Sequence, residues 1–84
     1  MNLEIITPNG VVFKQEVDRV TAPGSKGSFQ VLNHHADLLS NLEIGSLKVE
    51  YNNFTDFFTC NFGVIEVKNN SVSILAESSE NHKD

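Results

Sequence analysis

The side chains with the greatest chemical capacity in this sequence are few: the run His34, His35 and Asp37, the lone Cys60, the glycine-bounded Gly24-Ser25-Lys26-Gly27, and a scatter of carboxylates. His34, His35 and Asp37 are the one local cluster of metal-ligating types, but adjacent side chains on an extended segment point apart, and no second cluster completes a coordination set. The structural alternative is that one histidine hydrogen-bonds and orders its loop while the other faces solvent or a partner. Cys60 stands in a Phe-rich stretch with no G-x-S-x-G elbow anywhere in the chain, so it reads as a small packed thiol rather than a nucleophile. Gly24-Ser25-Lys26-Gly27 lacks the spacing of a phosphate loop and the following helix whose N-terminus would receive the phosphate. Glu43, Glu50, Asp56, Glu66 and Glu77 read as turn and outward strand positions, which leaves no pocket to raise one carboxyl pKa above another. Neither a catalytic constellation, nor a metal site, nor a cofactor site is expected.

The elements that carry these residues have the period of strands. Apolar residues recur every second position, as in Leu47-Lys48-Val49-Glu50-Tyr51, Ile65-Glu66-Val67-Lys68 and Ser71-Val72-Ser73-Ile74, and no stretch keeps a helical period over several turns. Leu3-Glu4-Ile5 and Val11-Val12-Phe13 flank Pro8-Asn9-Gly10, and Asn52-Asn53 and Asn69-Asn70 stand between other runs, so hairpins are predicted at all three places. A third strand is predicted near Val17 and Val20, and another over Ser28-Phe29-Gln30-Val31-Leu32 after a loop marked by Pro23, Gly24 and Gly27. The aromatics between Phe54 and Phe58 read as core residues of a sheet packed on a second sheet. Between Asn33 and Asn41 the alternation lapses; this reads as a loop with at most one helical turn, tucking Leu38, Leu39 and Leu42 inward. Many short strands with regular turns predict an all-β fold, a two-sheet β-sandwich or flattened barrel of mostly antiparallel strands. The domain is expected over residues 1–77, with 78–84 as a flexible polar C-terminal tail.

Composition narrows the function. The 84 residues carry a formal charge of −5 with only six Lys and Arg, no two of them adjacent. Nucleic acid and anionic lipid both require clustered cations, so neither is an expected partner. One cysteine gives no internal disulfide and points to a reducing compartment. No run approaches the roughly 20 apolar residues that span a bilayer, so direct membrane insertion is not expected. A domain this small buries only roughly 60–65 % of its unfolded surface, so its stability on its own is expected to be modest.

The order of several motifs resembles the epsilon subunit family of F-type ATP synthases along nearly the whole chain. The resemblance starts at Thr7-Pro8, passes through Val17 and Val20, and reaches Pro23-Gly24-Ser25-Lys26-Gly27-Ser28-Phe29-Gln30-Val31-Leu32. His35-Ala36-Asp37-Leu38-Leu39 is similar to the family's His-Ala-Pro-Leu segment, and Leu42-x-x-Gly45-x-Leu47 follows. The most specific part is Phe62-Gly63-Val64-Ile65-Glu66-Val67-Lys68, the Asn69-Asn70 turn, and Ser71-Val72-Ser73-Ile74-Leu75-Ala76-Glu77. Asp37 and Asn33 stand where the family commonly has Pro, and Gln30 where it has Gly.

The resemblance implies a non-catalytic rotor part, with the gamma subunit and the c-ring as partners, peripheral on the cytoplasmic face of a bacterial inner membrane. It implies that Ser25, Lys26, Gly27, Ser28 and Gln30, together with His35, Ala36, Asp37 and Leu38, belong to the end that meets the ring. Typical members continue into a pair of C-terminal helices that brake hydrolysis and in some cases bind ATP. The 84 residues do not include that pair, so neither inhibition nor nucleotide binding is expected of them. From the residues alone two other readings stay open: a lipoyl- or biotinyl-type carrier displaying Lys26, and a small ligand-binding sandwich.

Overall fold

The computed structural model describes residues 1–81, and these form nine strands and no helix. In chain order they are β1 (Asn2–Thr7), β2 (Gly10–Glu16), β3 (Arg19–Gly24), β4 (Gly27–Leu32), β5 (Leu38–Leu42), β6 (Gly45–Tyr51), β7 (Phe54–Cys60), β8 (Gly63–Lys68) and β9 (Ser71–Ala76). A five-stranded sheet has the order β2-β1-β9-β8-β5, and a four-stranded sheet the order β4-β3-β6-β7. Every pairing is antiparallel except β1 with β9. The expected two-sheet β-sandwich is therefore the observed fold.

Local chemistry sets the turns. Asn52 and Asn53 have φ of 48° and 65°, and Asn69 and Asn70 have 51° and 60°; two successive left-handed residues give the turn whose twist matches a hairpin, and Asn tolerates that region. Gly10 and Gly27, at φ 121° and 110°, close the other two hairpins, whose tips are Pro8-Asn9 and Ser25-Lys26. Between Ile5 and Ile6 the β1–β2 register shifts, pairing Ile5 with Phe13 and Ile6 with Val11. Val12 is the extra residue of this bulge, which explains how three consecutive apolar residues fit one strand.

The inner faces of the two sheets meet in one core: Leu3, Ile5, Leu42, Ile65, Val67, Val72, Ile74 and Ala76 from the first, and Val20, Ala22, Val31, Leu47, Val49, Phe58 and Cys60 from the second. Phe13 seals one flank, meeting the rings of Phe58 and Tyr51 edge-on at centroid distances of 5.3 and 5.7 Å. That geometry aligns ring edge with ring face, the arrangement favoured by the aromatic quadrupole.

Three expectations change. Leu38–Leu42 is an edge strand paired with β8 from Leu38↔Val67 to Leu42↔Gly63, not a loop; Leu38 and Leu42 turn inward and Leu39 is 70 % exposed. Two adjacent leucines obscured the alternation, and pairing with β8 overrides the weak local signal. Of the aromatics between Phe54 and Phe58 only Phe58 is in the core, while Phe54 and Phe57 are exposed, because β7 turns Asp56, Phe58 and Cys60 inward. Asp56 is therefore not a surface carboxylate: it is buried and accepts a 2.6 Å hydrogen bond from the Tyr51 hydroxyl. Beyond the ninth strand, residues 78–81 run along the outer edge of β7. Asn61 N–H donates to the Ser78 carbonyl, Thr59 N–H to the Glu80 carbonyl and Glu80 N–H to Thr59 Oγ1, at 3.2, 2.8 and 2.9 Å. Backbone groups of the sheet edge recruit this segment without needing apolar side chains. Residues 82–84 lie outside the described residues.

Candidate functional site

Strand direction sorts the connections onto two ends of the sandwich. One end collects the Pro8-Asn9 and Ser25-Lys26 hairpin tips, the Glu43-Ile44 and Asn61-Phe62 turns, and the exit of β9. The other collects Asp18, the β4–β5 connection from Asn33 to Asp37, and the two Asn-Asn turns. The nine residues expected to share one contact end are thus divided. Ser25, Lys26 and Gly27 sit at the first end; Ser28 and Gln30 follow on edge strand β4, both exposed on the outer face of the four-stranded sheet. His35, Ala36 and Asp37 sit at the opposite end, and Leu38 opens β5 half-buried against the core. The six residues of β4 separate the groups by roughly 17–20 Å at strand rise.

The two groups also differ in how tightly they are tied in. His34, at φ 64°, donates its N–H to Asn70 Oδ1 at 2.8 Å. His35 N–H donates to the Leu32 carbonyl at 3.1 Å, and its Nδ1 lies 2.6 Å from the Ala36 carbonyl. The histidine segment is thereby stitched to β4 and to the β8–β9 turn. No hydrogen bond or ion pair of that kind engages the Lys26 side chain among the described residues. Cys60 is buried, and that burial pushes its thiol pKa up, away from reactivity. Among the described residues no group of three His, Cys, Asp or Glu is gathered in metal-binding fashion, and no helix is long and apolar enough to cross a membrane.

What sequence reading missed is on the surface. Across the outer face of the five-stranded sheet runs an apolar row: Val11 beside Ile6 on β2 and β1, Ile6 beside Leu75 on β9, and Leu75 beside Val64 on β8, with Leu39 on β5 next to it. Val11, Leu75 and Leu39 are 58, 54 and 70 % exposed. The signal was present as doublets, Ile5-Ile6, Val11-Val12, Leu38-Leu39, Val64-Ile65 and Ile74-Leu75, one in each strand of this sheet. A doublet in a period-two strand puts one apolar residue on each face. Exposed apolar rows of this kind are a common feature of protein contact surfaces.

Comparison with known proteins agrees with this architecture. The family model described as the ATP synthase, Delta/Epsilon chain, beta-sandwich domain matches residues 1–82. The ATP synthase epsilon chain of Nitratidesulfovibrio vulgaris strain DP4 is 44 % identical over 84 residues, covering all of this chain and 63 % of its own length. Curated relatives of this kind are longer, and this chain spans 55–63 % of their length. Among solved structures, a chain in the cryo-EM structure of the Euglena gracilis mitochondrial ATP synthase, OSCP/F1/c-ring, superposes with a TM-score of 0.88 at 26 % identity, over 94 % of this chain and 51 % of that one. A chain in the central stalk/c-ring structure of the Tetrahymena thermophila mitochondrial ATP synthase shares the fold, with a TM-score of 0.83 at 22 % identity over 95 % of this chain and 65 % of that one. A nine-stranded sandwich with an apolar row across one outer face, matched by the family model along 82 of its 84 residues, belongs to the beta-sandwich domain family of ATP synthase delta and epsilon chains.

Proposed function

We propose that this sandwich is a non-catalytic part of the central stalk of a proton-translocating ATP synthase, joining the gamma subunit to the c-ring so that proton-driven rotation reaches the catalytic head. The proposal concerns the sandwich, the part of the longer relatives that the chain covers. The observation that carries it is the apolar row of Ile6, Val11, Leu39, Val64 and Leu75, a sheet face whose exposure is unfavourable unless a protein surface covers it. We assign this flank to gamma. The ring takes an end, and of the two candidate ends we assign it the one with the Ser25-Lys26 tip, because the Lys26 side chain there makes no ion pair among the described residues while His34 and His35 tie the β4–β5 connection to β4 and to the β8–β9 turn. The domain then sits at the cytoplasmic face of a bacterial membrane through its partners.

The test is co-purification with gamma from the same source, followed by mass measurement on size exclusion. A stable one-to-one complex is expected. The double variant Leu39→Ser/Leu75→Ser should keep its circular dichroism and weaken that complex at least tenfold. Failure of the wild-type chain to bind folded gamma at micromolar concentration would remove the stalk reading.

A further inference from the structure

The two places where the chain crosses between the sheets at the free end lie side by side. Leu42 of the five-stranded sheet pairs with Gly63, and Gly45 of the four-stranded sheet pairs with Cys60, so the turns Glu43-Ile44 and Asn61-Phe62 run next to each other in opposite directions. Neither can slide away. A Cβ on Gly63 would collide with the Leu75 carbonyl, and one on Gly45 would lie 2.8 Å from Pro23 Cβ. Glu43 N–H donates to the Pro23 carbonyl at 2.9 Å, and Glu77 N–H to the Phe62 carbonyl at 3.0 Å. This rigid corner presents two large apolar side chains to solvent: Ile44 is 64 % exposed and Phe62 49 %.

Phe62 is the more telling of the two. Its φ is 56°, in the left-handed region where a Cβ crowds the backbone and where bulky residues are genuine outliers. The other positive-φ residues here are Gly, Asn and His34, the types that reach that region at least cost. A half-exposed phenylalanine in a conformation better suited to Asn or Gly is a poor choice for folding, and strain of this sort concentrates where a side chain is held for contact. The charges around it have a sign. Glu43 borders Ile44, and Glu77 is hydrogen-bonded to Phe62, against the single cation Lys26 on the neighbouring hairpin.

We propose that the Ile44–Phe62 corner is an apolar anchor that seats the domain on its ring-side partner, a protein surface offering an apolar pocket bordered by Lys or Arg, and that Phe62 holds its left-handed backbone for that contact. The inference rests on the stalk reading above and narrows it to two side chains. It places the strongest contact beside the hairpin tip, not on the tip, and away from the histidine segment.

The test uses the 84-residue chain with the cognate c-ring in lipid nanodiscs, and separately with gamma. Phe62→Asn should melt no lower than wild type, because Asn tolerates the turn, and should keep its complex with gamma. Its dissociation constant for the ring should rise tenfold or more, as should that of Ile44→Ser. Wild-type affinity for the ring should fall several-fold between 50 and 300 mM salt, roughly as expected for a few opposite charges at the rim of a contact. Ring affinity unchanged in both variants, with wild type binding, would overturn the anchor and leave the stalk reading intact. So would a Phe62→Asn that melts several degrees lower, since Phe62 would then serve the fold; wild type that binds gamma but not the ring would overturn the anchor together with the ring half of the stalk reading. Wild type that binds neither partner ends both proposals.

Discussion

The two sheets of this sandwich share a core but differ outside, where one is mostly polar and charged and the other carries a continuous apolar row. The four-stranded sheet shows solvent Arg19, Thr21, Gln30, Lys48, Glu50 and Thr55 around two exposed apolar side chains, Leu32 and Phe57, with Glu50 between Arg19 Nε at 3.3 Å and Lys48 Nζ at 3.4 Å. The five-stranded sheet shows Ile6, Val11, Leu39, Val64 and Leu75. Strand β6 of the first, Leu47-Lys48-Val49-Glu50, alternates cleanly, while β4 and β7 carry the doublets Val31-Leu32 and Phe57-Phe58; in the second sheet every strand carries one. A sheet wetted on one face alternates, and a sheet covered on both does not. The comparison teaches that a doublet in every strand, and not a doublet in one or two, makes a continuous apolar outer face.

The sharpest way to break the comparison lies within a single doublet. Ile74 is fully buried and Leu75, next to it on β9, is 54 % exposed. Ile74→Ala should cost about 2–5 kcal/mol in urea denaturation, the range for a large residue cut from a packed core. For a domain of modest stability that is most of the fold. Leu75→Ala should stay within about 0.5 kcal/mol in the isolated chain. If Leu75→Ala cost as much as Ile74→Ala, the outer face would be covered from within the chain itself, and the contrast between the two sheets would collapse.

A second expectation concerns the one charged group that the four-stranded sheet turns inward. Asp56 is buried with Tyr51 Oη 2.6 Å away, and the hydrogen bond to Asp56, then burial, then the Asp56 charge hold the Tyr51 pKa above its usual 10.0. The folded state thus favours the protonated phenol. Its contribution is complete below the unfolded pKa near 10 and is lost as pH rises through the higher folded value. Tyr51→Phe should cost about 1–3 kcal/mol at pH 7, since it leaves a buried carboxylate short of a donor. It should also flatten the fall in stability above pH 10 that wild type shows in urea titrations. A variant as alkali-sensitive as wild type would detach that fall from Tyr51.

How much of this was legible beforehand depends on which force decided each element. The hairpins at Asn52-Asn53 and Asn69-Asn70, the inward set of β6, β8 and β9, and the sandwich itself follow from period and turn chemistry, both local properties of the sequence. β5 was illegible because Leu38 and Leu39 blur the period, and its pairing partner β8 lies more than 20 residues further on. The segment 78–81 was illegible for a different reason: it is held by backbone groups of β7, and composition says nothing of those. The candidate site suffered most. The resemblance grouped Ser25–Gln30 with His35–Leu38 on a single end, yet a strand between two loops carries them to opposite ends. Phe62 was read as part of a motif, and only its φ of 56° separates it from an ordinary turn residue.

The smallest effect should come from the charged outer face. The triad of Arg19, Glu50 and Lys48 is half-exposed, with 45, 26 and 44 % of the side-chain surface open to solvent, so water screens the pairs and holding three long side chains in one geometry costs entropy. Glu50→Gln should therefore destabilise by no more than about 0.5 kcal/mol in dilute buffer, and the difference should vanish by roughly 0.5 M salt, where the screening length is only a few ångströms. The substitution sharpens the comparison by its weakness. Removing charge from the wetted sheet should hardly register in stability, while removing apolar surface from the other sheet should leave stability equally untouched and cost the complex with gamma. A Glu50→Gln that loses gamma as readily as Leu39→Ser/Leu75→Ser would show that both faces, and not the apolar one alone, are built for contact.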